Sequence, residues 1–121
     1  MGKTLAFAAS LALLAQSTGA WAADVGGRYT VAGTNFYGSI YKGTAEITVS
    51  SNSTCRIVWH IGASDWKGIC MRVNDSLAAA YQYKNTIGLV HYDIKPDGVL
   101  DGIWTMADRD GAGTDVLTPQ E

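Results

Sequence analysis

The chain has 121 residues, 47% of them hydrophobic, with nine Lys/Arg against eleven Asp/Glu and a formal net charge of −2. That length suits one small domain. The basic residues stand singly, so the electrostatic footprint of a nucleic-acid-binding protein is missing, and the mild acidity is first of all a solubility feature.

The N-terminus carries a targeting pattern. Met1-Gly2-Lys3 is a short basic start, residues 5–15 are uncharged and largely apolar, and Ala20-Trp21-Ala22 has the small-x-small form of a signal-peptidase site. The apolar stretch is shorter than the roughly 20 residues of a membrane span. Residues 1–22 are therefore expected to be a cleaved signal peptide, with residues 23–121 forming a single domain exported to the periplasm or the medium. With Lys3 removed, eight basic residues face eleven acidic ones, a net charge of about −3. Cys55 and Cys70 both remain, and in an oxidising compartment a disulfide is their default state.

Beyond the leader no segment holds a helical period. Short runs of Tyr, Val, Ile, Thr and Trp alternate with Gly-, Asn-, Asp- and Ser-rich breaks, the pattern of an all-β chain. Residues 28–33 read as a first strand, with Tyr29 and Val31 on one face. Residues 40–50 are the clearest, placing Tyr41, Gly43, Ala45, Ile47 and Val49 on a buried face against Lys42, Thr44, Glu46, Thr48 and Ser50. Residues 54–73 form a hairpin that sets Cys55 opposite Cys70 and Trp59 opposite Trp66. Directly opposed residues lie close enough both for an aromatic pair and for a disulfide, so two features choose one register. Gly62-Ala63 could make a two-residue turn, but a four-residue loop over residues 61–64 is the expected form, because it places the cysteines at the closer type of pair. Gly68 leaves space opposite Ile57.

Asn74-Asp75 turns the chain into residues 77–83, where Leu77, Ala79, Tyr81 and Tyr83 share a side and an Ala-rich helical turn is the competing reading. Residues 87–95 follow as a strand, Pro96-Asp97-Gly98 is a strong turn, and residues 99–106 return with Leu100, Gly102, Trp104 and Met106 on one face. The loop 108–113 precedes a short last strand, residues 114–118. About eight strands joined by short turns make an antiparallel up-and-down meander. Closing it into a small barrel would remove both exposed edges.

Candidate chemistry is sparse. His60 faces Asp65, and His91 lies two residues from Asp93, but no motif ties a nucleophile to either pair, and no catalytic residue or cofactor is expected. Asp108, Asp110 and Asp115 are spaced through a Gly-rich loop and form a weak calcium candidate. The third acidic position of an EF-hand loop is Ala112 here and its closing glutamate is Pro119. Alternation places part of the aromatic set Tyr29, Tyr41, Trp59, Trp66, Tyr81, Tyr83, Tyr92 and Trp104 on the inner face. There the rings either fill the barrel or line a ligand pocket with hydroxyl and indole handles.

The spacing Gly27-x-Tyr29-x-Val31-x-Gly33-x-Asn35, then Gly38-x-x-Tyr41-x-Gly43-x-x-x-Ile47, resembles the opening of a family of small exported bacterial proteins of poorly defined function. The likeness continues through Trp59-x-x-Gly62, Asp97-Gly98-x-Leu100-x-Gly102-x-Trp104 and Gly113-Thr114-Asp115-x-Leu117-x-Pro119. Some relatives are labelled fibronectin-binding proteins, which implies a non-enzymatic partner at the envelope or in extracellular matrix. More remotely, the Gly-x-aromatic start and Gly-x-Trp near the end look like avidin- and lipocalin-type barrels, implying a small apolar ligand inside. The expected function is non-enzymatic binding by a monomer or dimer, with a protein partner first and a small-ligand carrier second. Inhibition of a basic enzyme such as lysozyme comes third.

Overall fold

The computed structural model describes residues 24–120, so the expected signal peptide lies outside the described residues. Eight strands follow in order: β1 (Gly27–Thr34), β2 (Ile40–Val49), β3 (Thr54–Ile61), β4 (Ser64–Val73), β5 (Ser76–Tyr83), β6 (Thr86–Ile94), β7 (Leu100–Met106) and β8 (Gly113–Pro119). Each pairs antiparallel with the next, and β8 pairs with β1 to close the barrel. The up-and-down meander expected from the turns is thus present, with strand ends shifted by a residue or two.

The hairpin β3–β4 has the expected register, with Cys55 opposite Cys70 and Trp59 opposite Trp66. The disulfide is formed across a Cα separation of 4.9 Å. The turn differs from expectation. Ile61 pairs with Ser64, so the connection is the two-residue turn Gly62–Ala63 and not a four-residue loop. Gly62 makes this possible by adopting φ 61°, a left-handed value that only glycine reaches without steric cost. Gly68 also has a different reason. A Cβ there would strike the backbone of Ala80 and Tyr81 in β5, so the space is taken by the neighbouring strand and not by Ile57.

Residues 77–83 form a strand and not a helical turn: Leu77, Ala79 and Tyr81 are buried at a period of two. Val49, expected inside, is at the end of β2 and stays exposed.

The interior has two unlike halves. At the end that carries the β2–β3, β4–β5 and β6–β7 turns, Ile47, Ile57, Leu77, Leu100 and Leu117 pack with the disulfide into an aliphatic plug. Towards the opposite end the inward positions are aromatic. Four of these rings lie against a glycine directly across the ladder: Tyr41 on Gly33, Tyr81 on Gly88, Tyr92 on Gly102 and Trp104 on Gly113. A Cβ at any of the four glycines would run into the ring, so the missing side chain is what lets each ring lie along the inner wall.

Candidate functional site

The aromatic half encloses a cavity of about 230 Å³, partly open to solvent. It lies at the end bearing the β1–β2, β3–β4, β5–β6 and β7–β8 connections. Tyr41, Trp59, Trp66, Tyr81 and Trp104 form most of the wall, completed by Asn35, Ile61, Val90 and Asp115. The rings brace one another. Tyr81 meets Trp59 and Trp66 edge-on, with centroids 5.3 and 5.8 Å apart, and so bridges the two opposed indoles. Phe36, from the β1–β2 turn, packs on Trp104 at 4.7 Å.

Beneath the rings Asp115 is buried. Both of its oxygens accept phenolic hydroxyls: Tyr41 donates to Oδ1 at 2.6 Å and Tyr92 donates to Oδ2. The direction of this chain is fixed by Trp59, whose indole N–H can only donate and does so to the Tyr92 oxygen at 3.0 Å. The Tyr92 proton is then left for Asp115. Burial pushes the Asp115 carboxyl above its ordinary value, while the hydroxyl and indole donors oppose that rise. The Tyr41, Tyr81 and Tyr92 phenols are raised, first by burial and then by the Asp115 charge, so they remain protonated donors. Trp104 Nε1 donates to the carbonyls of Thr34 and Thr114, and Tyr81 donates to the Thr105 carbonyl. The Trp66 indole nitrogen is buried with no hydrogen-bond partner.

Not every aromatic of the expected set reaches the cavity. Tyr92 lies fully buried below it and contributes only its hydroxyl to Asp115. Tyr29 sits towards the plugged end, donating to the Val25 carbonyl. Tyr83 stacks on the outer side of Trp66 with centroids 3.7 Å apart, beside a broader depression of about 730 Å³ between the β5–β6 turn and the β7–β8 loop.

The three aspartates considered for calcium are separated. Asp115 follows the inward alternation of Gly113 and Leu117 into the barrel, whereas Asp108 and Asp110 stay exposed on the loop, Asp108 3.7 Å from Arg109. Among the described residues no three His, Cys, Asp or Glu side chains come together as a metal site. His60 Nδ1 lies 2.7 Å from Asp65 Oδ1, and His91 Nε2 lies 2.5 Å from Ser76 Oγ, both on the outer wall and away from the cavity.

No family model matches the chain, and no curated protein matches it. Solved structures do. A redesigned β-barrel superposes with a TM-score of 0.68 at 19% identity, covering 80% of this chain and 92% of its own. A de novo fluorescence-activating β-barrel gives 0.63 at 14%, covering 78% and 93%. A variant of the fluorescent protein UnaG gives 0.51 at 12%, covering 78% and 95%. At these identities the likeness shows a shared closed barrel and nothing finer.

Proposed function

We propose that this barrel is a non-enzymatic binding protein that takes a small, largely apolar, ring-bearing molecule into its aromatic end. The observation that carries the reading is the cavity of about 230 Å³ walled by five aromatic side chains. Its size sets the ligand. A cavity of about 150 Å³ accepts benzene, and drug-sized pockets begin near 300 Å³, so a one- or two-ring molecule fits. A hydrogen-bond acceptor on the ligand that reached the unpartnered indole nitrogen of Trp66 would satisfy it. One structural neighbour is described as fluorescence-activating, which supports using optical probes on this chain.

The disulfide supports an oxidising, non-cytoplasmic compartment, and export to the periplasm or medium is part of the proposal. Protein–protein interaction at the envelope or with extracellular matrix is a second reading, favoured by exposed aliphatic side chains on β4, β6 and β7. Inhibition of a basic enzyme such as lysozyme draws only on the small size, the acidic charge and the disulfide-stapled barrel, and ranks last.

The test is titration of the exported protein with 2-naphthol and with cyclohexanol, following tryptophan emission, alongside native mass spectrometry of protein taken from its own compartment. Saturable emission changes with 2-naphthol, weaker ones with cyclohexanol, and a co-purifying mass in the range of a one- or two-ring molecule are expected. The absence of both a saturable response and an added mass would overturn the reading.

A further inference from the structure

The outside of the barrel is divided. On β1–β3 the outward positions are mostly Thr and charged residues, with Arg28 paired to Glu46 and Lys42 and Arg56 nearby; Ala32, Val58 and Ile40, the last at the open end of β2, are the apolar exceptions. On β4, β6 and β7 they include Ile69, Met71, Val73, Ile87, Leu89 and Ile103, each 52–59% exposed. An antiparallel sheet with one face in water alternates apolar-in and polar-out. Strand β4 keeps that rule in its first half, with Trp66 inward and Asp65 and Lys67 outward. Past Gly68 its outward positions Ile69, Met71 and Val73 are apolar, while Arg72 lies on the inward side.

The ladder register makes these residues one surface. Ile69, Ala80 and Leu89 form a row across three strands, and Met71, Ala78, His91 and Ile103 form the next row across four. Strand β5 contributes only alanines to the two rows, so it forms a shallow trough between a β4 ridge and a β6 ridge. The six aliphatic side chains present on the order of 600 Å² of apolar surface, the upper limit for a monomer and close to the roughly 800 Å² each partner gives to a standard interface. Ile87 and Val73 extend the two ridges into the flanking rows, which also carry Lys67 and Gln82 on one side and Asp93 and Asp101 on the other. The two central rows, apolar except for His91, thus have a mixed polar rim.

We propose that this β4–β7 wall is the face through which two copies of the chain pair. A ridge–trough–ridge surface is suited to an isologous contact, in which a ridge of each copy lies in the alanine trough of the other. The area reaches the low end of what each partner of a specific contact buries, about 600 Å². A lipid-facing role fits less well: a membrane-spanning barrel needs an apolar band all round, and here half the circumference carries charge. The contact lies on the side wall and leaves the cavity end free, so it is independent of the ligand reading.

Sedimentation of the disulfide-intact exported protein from low micromolar to millimolar concentration tests this. A dimer mass is expected. Leu89→Lys and Met71→Glu, on separate strands, should each raise the dissociation constant about 100-fold or more, because two-fold symmetry brings the new charge into the contact twice. Thr44→Glu, on the polar half, should leave the dimer intact. Far-UV circular dichroism reports whether each variant keeps the fold, and if one does not, the other decides. The proposal is overturned by a wild type that stays monomeric, by a dimer that both patch variants preserve, or by a Thr44→Glu variant that dissociates. A monomeric wild type that floats with phosphatidylethanolamine/phosphatidylglycerol vesicles also overturns it and assigns the wall to lipid.

Discussion

Asp115 is the residue on which the interior polarity converges. Its folded-state pKa is raised by burial, so between its unfolded and native values the native state holds a proton that the unfolded chain has lost. Stability linked to this group is fully present below the unfolded pKa and falls as pH rises through the raised native one. Each unit of separation is worth about 1.4 kcal/mol. Asp115→Asn imitates the protonated form: its amide can donate to Tyr41 while its carbonyl accepts from Tyr92. The variant should therefore match wild type in acid and gain on it as pH rises, a divergence readable from thermal midpoints of both proteins across pH 3 to 8. Parallel curves would mean the carboxyl titrates alike in both states. The inward position of Asp115 was legible from its two-residue offset to Leu117. Its side chain reads first as a loop carboxylate because polarity in a Gly- and Asp-rich stretch normally marks solvent.

The β3–β4 hairpin shows what local pattern can and cannot specify. Opposed cysteines and opposed tryptophans were enough for the register, since a slip by one residue would have turned every inward side chain outward. The turn length was not legible from those pairs, because two- and four-residue turns share the same pairing. It follows instead from the conformational freedom of Gly62. Tyr29 and Tyr83 likewise share a parity with the cavity rings, but position along the strand, which alternation does not encode, takes them elsewhere. The disulfide closes a separation of 15 residues, worth about 3 kcal/mol in the chain-entropy model. Since it lies in the aliphatic half, the Cys55→Ser/Cys70→Ser double variant should lose about that much stability in urea unfolding while retaining its 2-naphthol response. Loss of the response in a still-folded variant would show that the two halves are coupled.

At the scale of the whole molecule, eight strands and short turns were legible in the sequence, and closure was argued from the cost of open edges. Whether the interior held rings alone or rings around a space was not, because both demand the same inward aromatics. Three of the glycine-backed rings, Tyr41, Tyr81 and Trp104, account for the outcome, since a ring lying along the wall leaves the axis clear. Closure also sets β1 beside β8, and the Gln120 amide donates to the Arg28 carbonyl at 2.9 Å. A circular permutant that joins these ends and opens the 96–98 turn should keep every ladder pair, fold cooperatively and respond to 2-naphthol as wild type does. A permutant that folds but no longer responds would show that the cavity depends on an intact 96–98 turn or on free chain ends. The same adjacency gives the molecule a handle. Residues 24 and 120 both leave from the plugged end, so anything fused or coupled there, such as a bead, a surface or a second domain, presents the aromatic mouth outward like a cup held by its base.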